Sequence, residues 1–140
     1  MSLKSCLVGL ALVLSLILSL ILSLILSLAP AVAEDCPAKS TQMDDIIEAI
    51  NAAPGCDRAM KVFEACEFGA SGDVQLGATV EKKCEGDFRA RLKTPQKQAY
   101  QREMRLCDRK YRNQPGTMYL SFTAFCRAEV AQRYAHKMGK

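Results

Sequence analysis

The sequence predicts an all-α protein, a small disulfide-stapled bundle of about five helices preceded by a signal peptide. Apolar residues recur at the three- and four-residue spacing of helices, and no segment alternates as a half-buried strand does. Six of the seven cysteines follow residue 33, and none of the six belongs to a C-x-x-C pair. An even count in a small exported domain indicates a disulfide framework, whereas zinc-ribbon, thioredoxin-like and haem-attachment sites need closely paired cysteines.

The N-terminal segment has the order of a secretory signal peptide. Residues 7–28 form an apolar run that follows Lys4 and ends in small residues, after which acidic residues begin. Ala31 and Ala33 match an A-x-A cleavage site. We therefore expect cleavage after Ala33, which would also remove Cys6.

This division predicts two parts, a signal peptide over residues 1–33 and a single helical disulfide-bonded domain over 34–140. An uncleaved membrane anchor is the alternative, because the apolar run is long enough to cross a bilayer. With the signal peptide cleaved after Ala33, we expect the domain to be periplasmic or secreted.

The first two helices are predicted from apolar stripes. The first stripe, with Ser40 or Thr41 as the cap and Pro54 as the stop, contains five residues: Met43, Ile46, Ile47, Ile50 and Ala53. The second helix is expected from about Asp57 to Phe68, with Gly69 as its stop. Its apolar face contains four residues: Cys56, Met60, Phe63 and Cys66.

The third helix carries apolar residues at steps of four: Leu76, Val80, Cys84, Phe88 and Leu92. Gly77 and Gly86 should weaken it by roughly 1 kcal/mol each relative to alanine. It therefore depends on packing and on its disulfide.

The last two helices flank a turn at Gln114-Pro115-Gly116. Thr94 is the expected cap of the fourth helix and Pro95 its first residue. Its stripe contains Tyr100, Met104, Cys107 and Tyr111. The fifth helix, with Gly139 as its expected end, repeats apolar residues at steps of four: Met118, Phe122, Cys126, Val130 and Tyr134.

Helical geometry restricts which cysteines can pair. Cys56 and Cys66 lie ten residues apart on one helix, which is about 15 Å along the axis and too far for a disulfide. An antiparallel hairpin about Pro115 places Cys107 within one turn of Cys126, so these two should bond.

The same reasoning assigns the other four cysteines. Folding the third helix back on the second brings Cys56 near Cys84, and folding the first on the second brings Cys66 near Cys36. One rival remains, because Cys84 and Cys107 are symmetric about the Thr94-Pro95 turn. Each disulfide should stabilise the domain by about 2–4 kcal/mol.

Charge is divided between the two halves of the predicted domain. Residues 34–87 contain 5 Lys or Arg and 12 Asp or Glu, whereas residues 88–140 contain 13 and 3. Two interpretations stay open. Either the halves neutralise each other, or one of them presents a charged face to a partner.

The sequence lacks the motifs of enzymes and cofactor-binding proteins. His136 is the only histidine, and its place near the chain end is typical of a solvated side chain. Glu81, Glu85 and Asp87 are interpreted as a solvated helix face rather than a carboxylate pair, as are Asp44 and Asp45. We expect no enzymatic activity, no cofactor and no metal site, and export argues against nucleic acid as a partner.

Four short segments resemble the LprI-type lysozyme-inhibitor family of bacterial envelope proteins: Val80-Glu81-Lys82-Lys83-Cys84-Glu85, Gln98-Ala99-Tyr100 leading to Cys107, Gly116-Thr117-Met118-Tyr119, and Ala124-Phe125-Cys126-Arg127-Ala128. Members of that family often carry a Trp before the late cysteine, and this chain has none. Its overall charge is also positive, whereas an inhibitor of a cationic lysozyme should be acidic. The resemblance implies a periplasmic protein that binds lysozyme.

These observations together predict a non-enzymatic periplasmic or secreted binding protein, with lysozyme or another envelope macromolecule as the partner. The expected contacts are the acidic residues of the first two helices: Asp44, Asp45, Glu48, Glu64 and Glu67. The alternative is a membrane-surface or envelope-polyanion binder that uses the basic fourth helix with Arg127, Arg133 and Lys137. A structural or stress-related envelope protein without a single ligand is the third interpretation.

Overall fold

Five α-helices and one short 3-10 segment form the fold. The computed structural model describes residues 35–139, so the predicted signal peptide and its cleavage site lie outside the described residues. The helices are α1 (Met43–Ala52), α2 (Cys56–Cys66), α3 (Asp73–Phe88), α4 (Thr94–Lys110) and α5 (Met118–Met138), and the 3-10 segment is Arg89–Arg91. No strand occurs over 35–139, so the predicted all-α bundle of five helices is confirmed. None of these helices is both long and apolar enough to span a membrane.

Helix α3 is the central element, because it packs against α1, α2 and α5. Its predicted apolar stripe, which continues past the helix end, is buried along its whole length: Leu76, Val80, Cys84, Phe88 and Leu92. Each step of four residues rotates by about 40° around a helix. The resulting band is wide, and a helix with neighbours on several sides can bury all of it.

The stripe predicted for α5 was wrong in its first half. Met118 is 47% exposed and Phe122 is 41% exposed, whereas Val130 and Tyr134 are buried. The side chains that α5 buries are mostly small: Ser121, Ala124, Ala128, Ala131 and Ala135. Residues at steps of four shift gradually around the helix axis. Because α5 packs most closely against α3, only part of this shifting stripe faces the core, and its first members, Met118 and Phe122, face solvent.

The helix ends differ from prediction by one or two residues, as end assignments commonly do. Helix α2 ends at Cys66, and Phe68 is exposed in the turn that follows. The position before α4 is Lys93, not Thr94, and the Gln96 side chain accepts the Lys93 backbone N–H at 2.8 Å. A polar residue three positions into a helix can therefore cap it from within.

The three disulfides join Cys36 to Cys66, Cys56 to Cys84, and Cys107 to Cys126. These are the pairs that helical geometry favours, and Cys84 is bonded to Cys56 rather than to the rival Cys107. They connect the segment before α1 to α2, α2 to α3, and α4 to α5. A framework of this kind indicates an oxidising, extracytoplasmic compartment.

Gly77 marks the closest approach of α3 to α5. A Cβ atom at this position would lie 2.8 Å from the Ala124 Cβ and 3.0 Å from the Ala124 carbonyl oxygen. Gly86, on the same helix, is exposed and has no atom within 4 Å of the equivalent position. The two glycines of α3 therefore differ in role, since Gly77 allows helix contact and Gly86 only adds backbone freedom.

This difference predicts opposite effects of the same substitution. We expect Gly77→Ala to lower the free energy of unfolding by about 1–3 kcal/mol, because the α5 backbone must move away. Gly86→Ala should raise it by about 0.5–1 kcal/mol through helix propensity and a less flexible unfolded chain. Urea unfolding of both variants measures this, and a Gly77→Ala protein as stable as Gly86→Ala would contradict the proposed contact.

Asp73 joins three segments at one end of the bundle. Its buried carboxylate accepts a hydrogen bond from the Phe68 backbone N–H at 2.8 Å and another from the Ser121 hydroxyl at 2.6 Å. These bonds hold the turn after α2 and the start of α3 against the start of α5. We call this end of the bundle, residues 67–74 and 109–122, the turn end.

Candidate functional site

The acidic residues predicted to contact a partner lie on α1 and α2 or directly after them. Asp44, Glu48, Glu64 and Glu67 are exposed, and Asp45 is half-buried. Asp45 accepts a hydrogen bond from the Ser40 hydroxyl. The four exposed carboxylates remain available to solvent, as the binding hypothesis requires.

One of these carboxylates is already neutralised within the chain. Lys39 forms an ion pair with Glu48 at 2.8 Å, and the hydrogen bond and charge of Glu48 raise the Lys39 pKa above its ordinary value. Asp44, Glu64 and Glu67 have no ion pair with any residue in the described part of the chain. The acidic surface therefore depends chiefly on these three.

A second feature is an ion-pair cluster that was not predicted from the sequence. Arg127 of α5 donates to both carboxylate oxygens of Glu81 on α3, at 2.9 and 3.0 Å, and to Asp108 on α4 at 2.8 Å. Burial acts against the charged form of Arg127, but the bonds to Glu81 and Asp108 prevail and raise its pKa. The cluster therefore joins three helices through one guanidinium.

Two carboxylates that were interpreted as solvated are in fact largely covered. The Glu81 side chain is 17% exposed and the Glu85 side chain 15%, while Asp87 is exposed. Glu85 pairs with Arg89 one turn later on the chain. The interpretation fails for Glu81 and Glu85 because α4 and α5 pack close to this side of α3.

A groove of about 420 Å³ adjoins the cluster between α3 and α5. Its apolar wall includes Val74, Ala78 and Leu120, and its rim includes Glu81 and Arg127. A neighbouring groove of about 440 Å³ shares the ion-pair cluster. Each groove is a concave surface that combines apolar side chains with charged groups, and such surfaces suit recognition of a partner.

Tyr100 lies beside the second groove. Its hydroxyl is buried and makes no hydrogen bond within residues 35–139. Burial, followed by the charges of Glu85 and Glu81, raises the Tyr100 pKa well above its ordinary value.

The basic residues of α4 form an exposed surface because both acidic residues of the helix face α5. Glu103 accepts hydrogen bonds from the Tyr134 hydroxyl at 2.8 Å and from Arg133 at 3.0 Å. Burial acts to raise the Glu103 pKa, but these two bonds lower it on balance. Asp108 is likewise held by Arg127.

The outcome is an unbalanced positive surface, which we call the basic face: Lys97, Arg102, Arg105 and Arg109. These side chains are exposed and have no ion pair in the described range. Arg127 and Arg133, which the alternative function also assigned to this surface, are instead engaged by Glu81, Asp108 and Glu103. Lys137 is exposed, and its Nζ lies 5.0 Å from the centre of the Tyr134 ring.

His136 is exposed, as predicted, but it has a partner. Its Nε2 lies 2.5 Å from an Asp57 carboxylate oxygen, and Gln132 donates to the same oxygen at 2.8 Å. These bonds lower the Asp57 pKa. Within residues 35–139, no group of three or more His, Cys, Asp or Glu side chains could hold a metal ion.

Comparisons with protein-family models, with curated proteins and with solved structures gave no match for this chain. The function of this domain is therefore inferred from its surfaces and from the resemblance of short segments.

Proposed function

We propose that this chain is a non-enzymatic binding protein of the periplasm or the secreted fraction, released from its signal peptide after Ala33. A rigid bundle with three disulfides suits presentation of fixed side-chain positions, because little ordering is needed when a partner binds. The described residues also combine an acidic surface and a basic one on a scaffold made for an oxidising compartment.

Lysozyme is the partner that we propose first, in line with the resemblance to the LprI-type family. The observation that carries this proposal is the set of three exposed carboxylates without an ion pair in the described range: Asp44, Glu64 and Glu67. Such charges complement a basic enzyme and speed its association, and their effect weakens as salt screens them.

A titration against a c-type lysozyme tests this proposal. We expect the domain to bind lysozyme and to reduce muramidase activity at low salt, with weaker binding at moderate salt. Asp44→Asn, Glu64→Gln and Glu67→Gln combined should weaken binding about tenfold at low salt.

The matched control neutralises three residues of the basic face, Lys97→Gln, Arg102→Gln and Arg105→Gln, and should leave lysozyme binding unchanged or slightly stronger. No binding at high micromolar concentration would contradict the proposal. Equal loss in both triple variants would contradict the assignment of the acidic surface.

An anionic partner is the second candidate, either an envelope polyanion or a membrane surface. The specific observation in its favour is that Glu103 and Asp108 are both turned toward α5, which leaves the basic face without compensating charge. Basic helices of this kind bind polyanions and anionic lipids. Binding to soluble heparin that the basic-face triple variant loses would support it.

A further inference from the structure

We propose that the turn end of the bundle docks on the surface of an anionic lipid bilayer. This proposal rests on the second candidate function and narrows it, because it commits to a bilayer as the anionic partner and to a contact at the turn end, which shares only Arg109 with the basic face. The occupant is argued from the apolar side chains, the aromatic cluster and the charges at this end.

Exposed apolar side chains are concentrated at the turn end. Six large apolar residues are exposed in the described range, and only Leu106 lies elsewhere. The other five belong to the turn end: Phe68, Val74, Met118, Leu120 and Phe122. The bonds of Asp73 to Phe68 and Ser121 bring the two segments that carry them together. Met118 and Phe122 lie on one side of α5, whereas Val74 and Leu120 line the groove between α3 and α5. Several exposed apolar side chains at one end of a molecule mark an interaction surface, whereas isolated ones do not.

Three aromatic rings add a surface suited to the lipid headgroup region. Tyr111, Tyr119 and Phe122 contact one another, with ring centroids 5.6–6.0 Å apart. Both tyrosines are half-buried, so their rings are partly presented to solvent. Aromatic side chains with one polar atom favour the boundary between headgroups and acyl chains.

Charge on the α4–α5 side of this end favours anionic lipids. Arg109, Lys110 and Arg112 are exposed around the aromatic cluster, and Lys110 lies 4.9 Å from the centre of the Tyr111 ring. Glu129 acts on Lys110 electrostatically but forms no ion pair with it. The acids near this end belong to other elements: Glu67 follows α2, and Asp44 and Asp45 lie in the first turn of α1. The positive charge therefore accompanies the aromatic cluster, and each basic residue near an anionic leaflet strengthens binding.

The test uses the domain from residue 34 onward with a tag at its C-terminus. The tag belongs there because Cys36 is bonded to Cys66, which places the N-terminal segment near the turn end, while His136 contacts Asp57 at the other end of the bundle. Binding is measured by co-sedimentation with vesicles of phosphatidylcholine alone and of phosphatidylcholine with phosphatidylglycerol.

We expect binding to the phosphatidylglycerol vesicles and at least about fivefold weaker binding to phosphatidylcholine alone. Met118→Ser with Phe122→Ser should reduce binding to the anionic vesicles at least about fivefold. Leu106→Ser, which removes an exposed apolar side chain outside the turn end, should change it less than about twofold. Circular dichroism and thermal unfolding verify that each variant is folded.

Three results would overturn the proposal: no vesicle binding, equal binding to both vesicle types, or equal effects of the Leu106 and Met118/Phe122 variants. A heparin-binding assay distinguishes failure of the bilayer proposal from failure of the second candidate function. Heparin binding that depends on Arg102 and Arg105, together with vesicle binding that ignores Met118 and Phe122, would keep the polyanion function and reject the bilayer contact.

Discussion

Removal of the disulfide between Cys56 and Cys84, by replacing both residues with alanine, should lower the free energy of unfolding by about 3–4 kcal/mol. The two cysteines are 28 residues apart, and opening a loop of this size restores about that much chain entropy to the unfolded state. Both residues are also buried, at 5% and 0% exposure, so the substitution leaves space in the core between α2 and α3. A small domain has only about 5–15 kcal/mol in total.

Guanidinium unfolding monitored by circular dichroism measures this loss. The matched control is Cys107→Ala with Cys126→Ala, which opens a loop of 19 residues on the α4–α5 hairpin. Its loss should be slightly smaller, at about 3 kcal/mol, because the closed loop is shorter. A Cys56/Cys84 variant that unfolds at the wild-type midpoint would contradict the role given to this disulfide.

Asp73→Ala should destabilise the protein by about 2–4 kcal/mol, the largest effect that we expect from a single polar side chain. The Phe68 N–H and the Ser121 hydroxyl would both lose their acceptor, and a buried donor without a partner costs about 1–3 kcal/mol. The substitution would also detach the turn after α2 from α5. The turn end should therefore loosen before the rest of the bundle.

Asp87→Ala is the control, because Asp87 is an exposed acid on the same helix. It should change stability by less than about 0.5 kcal/mol. Hydrogen exchange of the Phe68 amide gives a second measurement, and protection of this amide should fall in Asp73→Ala. Wild-type stability together with wild-type protection would show that Asp73 does not hold the turn end.

The secondary structure of this chain was predictable because its signals are local. Spacing of apolar residues and turn residues such as Pro54 and Gly116 located all five helices within one or two residues at most ends. Hairpin geometry then favoured the three disulfides that the structure contains. Two of them join consecutive helices, and the third, between Cys36 and Cys66, spans only α1 and α2. Local folding therefore determined the covalent framework.

The contacts between distant helices were not predictable in the same way. Arg127 and Glu81 are 46 residues apart, and Ser121 and Asp73 are 48 apart. Before the helices are placed against one another, each of these side chains resembles an ordinary solvated polar residue. Gly77 was likewise interpreted only as a weakness of α3, although the small side chain of Ala124 opposite it provides the matching half of a close helix contact.

The orientation of α5 shows why a step-of-four pattern does not by itself predict which face of a helix is buried. Met118 and Phe122 belong to the same series as Val130 and Tyr134, yet only the later pair is buried. The buried face of α5 is determined by the small residues that fit against α3. Small residues such as alanine contribute little to a hydrophobicity pattern, so the pattern does not reveal this face. Met118 and Phe122, which this fit leaves outside the core, are two of the apolar side chains exposed at the turn end.

The central claim is that this chain is an exported domain held by three specific disulfides, and a non-reducing peptide map tests it most directly. The full precursor would be expressed in a bacterial host with an oxidising periplasm, recovered without reductant and digested for mass spectrometry. We predict an N-terminus at Glu34, no free thiol, and cross-linked peptides that join Cys36 to Cys66, Cys56 to Cys84, and Cys107 to Cys126. Reduced cysteines, or a peptide joining Cys84 to Cys107, would contradict the claim.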